Sequence, residues 1–350
     1  MSIDIYSQKI AERLPVDIYF SEYFTGVMER RAEQKPRKIS KLWSDFVYDY
    51  AHLKKLRKLP GTLHFSHQHF GRFGRFLARP YIITCHDIIR YLDMNGDTVL
   101  QKRPEGRSRL YLGLDFAGTR RASRIVAISD FTKRELIERL GVAENKVEVI
   151  YPGVDHDIFK PRSRTNQARP YILYTGSEVP RKNFLSLIDA FRELKREASF
   201  SDLMFVKVGA SDDAHMRAIA IERIRSYGLG DAVRFTGRIT DDELAQYYTM
   251  AECFIFPSFY EGFGLPPLEA MACGCPVIVA NAAALPEVVG EAGLKVDPSN
   301  VKQLTDTLRQ VLMQAALRRK LSLQGLERAS AFSWDRAAEQ TARFYEGIGV

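Results

Sequence analysis

No stretch of this chain is apolar for anything near the ~18 residues that a membrane-spanning helix needs, and its N-terminus has no basic-then-apolar leader pattern. Cysteine is scarce, with four in 350 residues, which excludes a disulfide-stapled fold. Cys85, Cys253, Cys273 and Cys275 each lie in or beside apolar runs, as reduced, core-packed thiols do. Cys273 and Cys275 have no second ligand pair at zinc spacing, so no metal is expected there. Low-complexity segments and internal repeats are also missing, which excludes solenoids and arrays. The expectation is a cytoplasmic protein, with a peripheral position on the inner face of the membrane as the alternative.

Negative charge is what the first half is short of. Residues 1–160 carry 28 Lys and Arg against 20 Asp and Glu, whereas the remainder carries 23 of each. Between Arg30 and Lys58 ten basic residues face three acidic ones, Glu33, Asp45 and Asp49. A solvated helix face accounts for such a run, and so does attraction to an anionic membrane surface or a pyrophosphate-linked acceptor. No nucleic-acid-binding motif accompanies the charge, so nucleic acid is not an expected partner.

What is present is alternation. The first half reads as a helix over 3–14, a strand at 16–20, a basic helix over 42–59 and strands at 62–65, 81–85, 124–128 and 147–151, with an irregular stretch over 88–107. Pro152, Gly153, Pro161 and a polar run to Arg169 mark a linker. Beyond it, apolar strands at 171–174, 204–208, 233–235, 254–256, 276–279 and 294–296 alternate with helices. That pattern predicts a parallel sheet covered on both faces, with its ligand outside the carboxyl ends of the strands.

Those strand ends carry the polar groups. The first delivers Gly176 to Asn183 with Arg181 and Lys182 before a helix, where a diphosphate would lie. The third delivers Thr236-Gly237-Arg238, whose glycine lets the backbone approach a flat base. The fourth delivers Glu261-Gly262-Phe263-Gly264-Leu265-Pro266 and a helix containing Glu269. A Gly-bearing turn into a helix N-terminus is an anion site. The acids on either side suit hydroxyls, so phosphate between hydroxyl-bearing groups describes a nucleotide sugar.

Glu261 to Pro266, continuing to Glu269-Ala270-Met271-Ala272-Cys273-Gly274, resembles the Glu-x7-Glu motif of the family 4 retaining glycosyltransferases. Pro180-Arg181-Lys182-Asn183, Phe235-Thr236-Gly237, Asp242-Glu243-Leu244 and 285–289 agree with it, as do Thr84-Cys85-His86-Asp87, 126–129 and 151–155 in the first half. The resemblance implies the GT-B fold: α/β, two Rossmann-like doubly wound domains facing across a cleft, with a C-terminal helix crossing back to the first. On this chain the domains would be residues 1–165 on the acceptor side, 166–331 for the nucleotide sugar, and 332–350 for the crossing helix.

By the same resemblance Arg181 and Lys182 neutralise the donor diphosphate and Glu269 binds the ribose. Glu261, with Gly262 and the backbone of Phe263, Gly264 and Leu265, holds the transferred sugar. Gly176 shapes the first turn, and Gly237 and Arg238 meet the base. His86 faces them from the first domain, which makes His86, Glu261, Arg181 and Lys182 the candidate catalytic set. The implied reaction moves a hexose from GDP-mannose or a UDP-sugar to a glycan or lipid-linked acceptor hydroxyl. It retains configuration and needs no cofactor or metal, the protein cations serving the diphosphate.

Two departures stand out. Ser177 occupies a position where relatives have Arg, and the first strand and Gly-rich loop of the family are expected to be missing, since Ser2 to Ser7 resembles the helix that follows them. An impaired homologue acting as a nucleotide-sugar-binding subunit is therefore one alternative, and a sugar-nucleotide epimerase another. The cluster His64, His67 and His69 fits a cleft-lining loop better than zinc, having no thiol or carboxylate nearby in sequence.

Overall fold

The computed structural model describes residues 2–14, 53–54, 56–59, 61–98, 103–164, 169–211 and 213–347. The strand expected at 16–20 and most of the basic helix expected over 42–59 lie outside them.

Two parallel sheets form the molecule. The first contains β1 (Leu63–Phe65), β2 (Tyr81–Cys85), β3 (Arg124–Ala127) and β4 (Val147–Val149), in that order. Its helices are α1 (Ser2–Ala11), α2 (Gly71–Arg75), α3 (Ile89–Asn95), α4 (Gly106–Arg121) and α5 (Asp130–Glu138). Among the described residues no strand precedes residue 15; that segment is helical.

The second sheet contains β5 (Tyr171–Thr175), β6 (Met204–Val208), β7 (Val233–Gly237), β8 (Cys253–Phe256), β9 (Val277–Ala280) and β10 (Gly293–Val296). Their order is β10-β9-β8-β5-β6-β7. Chain direction across the sheet therefore reverses between β5 and β8, the point where a crevice opens outside the strand ends in a doubly wound fold. Helices α6 (Phe184–Lys195), α7 (Ala214–Ser226), α8 (Asp241–Met250), α9 (Leu265–Ala272), α10 (Leu285–Val289), α11 (Val301–Met313) and α12 (Ala315–Ser330) complete this half. The strands are apolar runs because both faces are covered: β5, β8 and β9 are buried at every position.

The irregular stretch expected over 88–107 is corrected by α3, and α4 follows where no helix was expected. The buried residues of α4 are Leu112, Asp115, Phe116, Gly118 and Thr119, so polar and small positions interrupt what would otherwise be an apolar stripe. A Cβ on Gly118 would fall 1.8 Å from Gly71 O, and this close crossing with α2 is what the glycines allow.

The last helix, α13 (Trp334–Glu346), returns to the first sheet. The Tyr345 hydroxyl lies 2.5 Å from His64 Nδ1, and Arg13 of the α1 end donates to Asp335. Lys9 to Asp155, at 2.8 Å, fastens α1 further.

Candidate active site

The turn after β5 is held open by its own residues. Gly176 has φ 134, and the buried Tyr174 hydroxyl donates to Ser177 O at 2.9 Å. Pro180–Lys182 forms a short 3-10 turn that ends at Asn183, which is left-handed at φ 57. Asn tolerates that conformation better than other side chains with a Cβ. Its Nδ2 donates to Pro257 O at 3.1 Å and Pro298 O at 2.6 Å, so one amide joins the loops after β5, β8 and β10.

Arg181 and Lys182 are thereby aimed across the sheet's switch point at Glu261. Arg181 Nη1 donates to Glu261 Oε1 at 3.0 Å and to Tyr260 O at 3.2 Å. Lys182 Nζ approaches the same carboxylate oxygen at 2.7 Å and lies 4.6 Å above the Phe256 ring. Burial pushes the Glu261 carboxyl up, but the Lys182 and Arg181 cations and their hydrogen bonds outweigh it and hold it below the ordinary carboxylate range. A carboxylate of the protein's own thus engages both cations.

Helix α9 starts immediately beyond. Gly264, at φ 128, makes the turn, and Pro266 lies in the first helical turn, where its missing N–H costs no intrahelical bond. Glu269, one turn in, accepts from the buried Tyr248 hydroxyl at 3.2 Å. Burial raises its carboxyl to about 7. Gly237 closes β7, receiving the Gly209 N–H at 2.8 Å, and Arg238 is exposed with no hydrogen bond or ion pair to another described residue.

The loop 260–264 also meets the first sheet. A Cβ on Gly262 would lie 1.8 Å from His86 O, so only glycine fits that approach. Gly262 O accepts from Ser129 Oγ at 2.6 Å and Thr132 Oγ1 at 3.2 Å. Tyr260 inserts among the core residues of the first half, worth roughly 2 kcal/mol in area removed from water. Phe263 is 3% exposed, its ring against Tyr151 and Phe332, which leaves its backbone for any ligand. The Glu287 carboxylate, from α10, accepts from Asp130 N and Phe131 N at 2.9 Å each, capping α5 across the cleft.

His86 is fixed on that opposite wall. Its ring stands edge-on to Tyr6 and stacks on His67, each at 5.3 Å. Gln68, 1% exposed, accepts from His86 N at 3.0 Å and donates to Asp87 O at 2.8 Å, so one amide sets both residues. Asp87 Oδ1 accepts from Ile89 N, and its carboxylate feels both Arg181 and Glu261. The His86, Arg181, Lys182, Glu261 and Gly262 expected from the sequence therefore converge; Glu269 lies further along α9, and Gly176, Gly237 and Arg238 lie along the strand ends.

Sequence reading gave no role to Gln68, Tyr248 or Glu287, whose partners lie 18 or more residues away, although Glu287 stands in the matched segment 285–289. It also missed the fully buried Lys207, which sits 3.0 Å from Glu178 beneath the first turn. One Asp-x-Asp triplet does occur, Asp155-His156-Asp157. Asp155 is spent on Lys9 and Asp157 is exposed. Among the described residues no group of three His, Cys, Asp or Glu side chains could hold a metal, the histidine cluster at 64–69 included.

Two parallel sheets, the second doubly wound with a cationic turn, an acid and a helix N-terminus at its switch point, define a glycosyltransferase of GT-B architecture that works on a nucleotide sugar. The chain belongs to the family 4 glycosyltransferases: residues 10–158 match the family model "Glycosyltransferase Family 4" and residues 155–328 match "Glycosyl transferases group 1". It is 32% identical over 282 residues to the O-antigen chain mannosyltransferase B of Escherichia coli, covering 76% of this chain and 70% of that one. It is 31% identical over 271 residues to the serotype-specific mannosyltransferase WbdA of the same species, and that match takes in 32% of WbdA's length. Among solved structures, sucrose-phosphate synthase from Thermosynechococcus elongatus superposes with a TM-score of 0.71 at 26% identity, covering 82% of this chain and 73% of that one.

Proposed function

We propose that this glycosyltransferase is a retaining hexosyltransferase drawing on GDP-mannose or a UDP-sugar and delivering to a hydroxyl of a glycan or lipid-linked acceptor. The observation that carries the reading is the Arg181–Glu261–Lys182 cluster at the switch point. An incoming diphosphate is the stronger partner for the two cations and displaces Glu261 from them. The carboxylate is then available to the hydroxyls of the sugar that the diphosphate brings, so one exchange couples phosphate binding to sugar positioning.

In the transfer the bond from the anomeric carbon to the diphosphate oxygen breaks, and charge grows on the leaving oxygens. Arg181, Lys182 and the first N–H groups of α9 meet that charge in a site walled off by the first half. The acceptor oxygen bonds to the anomeric carbon on the face being vacated, and its proton passes to the leaving phosphate. Two protein cations on the diphosphate support a reaction without a divalent metal.

The test is a thermal-shift screen of nucleotide sugars followed by donor hydrolysis and transfer, wild type against Glu261→Ala. Stabilisation by GDP-mannose or a UDP-sugar, with turnover lost in the variant, is expected. Equal rates in both, or none in either, would overturn the enzyme reading. The membrane surface proposed from the charge of the first half, where Lys54, Arg57 and Lys58 are described and Lys55 is not, is tested by flotation with anionic liposomes. Retention that falls as salt rises is expected, and absence of binding at low salt removes that proposal.

A further inference from the structure

Strand β6 is apolar except at one position. Lys207 stands inside the run Met204–Val208 with its side chain fully buried. The pairing with β7 shifts by one residue there, as in a β-bulge: Lys207 is opposite Phe235, and Val208 is opposite Gly237. The Lys207 ammonium donates to Gly209 O at 2.6 Å and Ala210 O at 3.3 Å, in the loop that follows its own strand. It also lies 3.0 Å from Glu178 Oε1, in the turn after β5. Arg217, on α7, brings its Nε within 2.8 Å of the same oxygen and lays its guanidinium 4.4 Å from the centre of the Phe235 ring. Gly209 N–H in turn donates to Gly237 O at 2.8 Å. Two routes therefore run from Glu178 to the end of β7, one through Lys207 and Gly209 and the other through Arg217.

Stability does not account for this arrangement. A fully buried ion pair loses hydration about as large as its attraction, and apolar side chains of the same volume hold a fold as well or better. Compensation is incomplete here, since Glu178 Oε2 is sealed from solvent with no hydrogen-bond partner among the described residues. What charges add over apolar contact is direction. Glu178 stands in the same turn as Arg181 and Lys182, and Gly237 is the last residue of β7. The network thus spans the turns expected to hold the two ends of one nucleotide.

We propose that Glu178, Lys207 and Arg217 are positioning residues that fix the spacing between the cationic turn after β5 and the turn after β7, and so match the site to the length of a nucleoside diphosphate. The proposal rests on the nucleotide-sugar reading above and adds to it three residues that act through those turns. A diphosphate on Arg181 and Lys182 and a base at Gly237 are joined by one ribose. Binding of one end raises the local concentration of the other only where the two turns stand at the right distance. With the spacing unset each end still binds, and the advantage of their linkage is lost.

The test compares linked with unlinked ligands on the full chain. Glu178→Gln combined with Lys207→Met keeps side chains of nearly the same shape and leaves neither a carboxylate nor an ammonium buried and unpaired, so the double variant is expected to melt at or near the wild-type temperature. GDP and UDP are the linked probes; inorganic pyrophosphate, guanosine and uridine are the unlinked ones. For the nucleotide that wild type binds, affinity is expected to fall about tenfold in the double variant while pyrophosphate and nucleoside affinities stand. With GDP-mannose or UDP-glucose the donor KM rises by the same factor and kcat holds, because Glu261 and His86 keep their places. Arg217→Met opens one of the two routes without touching the buried pair, and the same split between linked and unlinked ligands is expected at about threefold. That variant carries the comparison by itself if the double variant does not fold. A folded variant that binds nucleoside diphosphate as wild type does overturns the proposal. An equal loss for pyrophosphate and nucleoside, or a fall in kcat with KM unmoved, overturns it as well, since either marks general damage rather than lost spacing. A wild type that binds neither GDP nor UDP overturns the nucleotide-sugar reading, and the proposal with it.

Discussion

Replacing Glu269 with Gln should make the protein more stable and worse at binding its donor. The Glu269 carboxyl stands at about 7 against an ordinary 4.5 because burial disfavours its charge. A gap of about 2.5 pH units corresponds to roughly 3 kcal/mol, and the partial solvent access of this residue reduces that to about 1–2 kcal/mol. A carboxyl whose folded value is raised favours the folded state while protonated, and that contribution is lost as pH rises through the folded value. The penalty in the wild type is therefore absent below about pH 4.5, builds above it and is full beyond about pH 7. Glu269→Gln, neutral at every pH and still able to accept from Tyr248, escapes it. Melting of the variant and wild type should coincide near pH 4.5 and separate by about 2–8 °C near pH 8, the variant higher. Nucleoside diphosphate titration supplies the other half. Ribose hydroxyls donate to the ionised carboxylate, so wild-type affinity should rise with pH through about 7 while the variant binds more weakly with no such rise. A variant melting below wild type near pH 8, or one keeping the pH-dependent gain in affinity, refutes the reasoning.

Three further outcomes follow from distances in the site. Glu261→Gln frees Arg181 and Lys182 from their internal anion, so bare nucleoside diphosphate should bind more tightly while sugar transfer falls by about 100-fold, or roughly 3 kcal/mol; calorimetry against steady-state rates checks the split. Gly262→Ala places a methyl 1.8 Å from His86 O, so both halves should stay folded while small-angle scattering reports a larger radius of gyration and turnover drops at least about tenfold. Glu287→Ala removes two charge-assisted bonds at the start of α5, worth about 2 kcal/mol, and amide exchange at 130–132 should accelerate; unchanged exchange there would show that water replaces the carboxylate at no cost.

The second half was legible in the sequence because its structure is local. Gly264 and Pro266 announce their turn wherever they occur, and the apolar runs of β5, β8 and β9 could only be strands buried on both faces. The nearness of Arg181 and Glu261 also followed, since a reversal of strand order brings the ends of β5 and β8 together. Their ion pairing did not follow, because the motif describes groups that face a ligand and says nothing of what they do without one. α4 was invisible for a different reason: its buried face breaks Leu112 and Phe116 with Asp115, Gly118 and Thr119, which serve close approach and pairing with Arg72 and blur the apolar period. Ser129 was legible as a helix cap, which it is, but Gln68 and the bonds from Ser129 and Thr132 to Gly262 were not, because those partners lie on other elements and Gly262 is more than a hundred positions along the chain.

The Glu287 cap and the Tyr260 insertion have a bearing on how this family can be recombined. The helix α5 of the first half begins on a carboxylate of the second, and a tyrosine from the 260–264 loop completes the core of the first half. A chimera joined at the linker, taking its second half from one relative and its first half from another, inherits these contacts as a lock cut for a different key. Segments 129–132 and 86–89 should travel with 260–263 and 284–288 as one inherited set, and shuffled libraries that keep this set together should yield more folded, active enzymes than those that divide it.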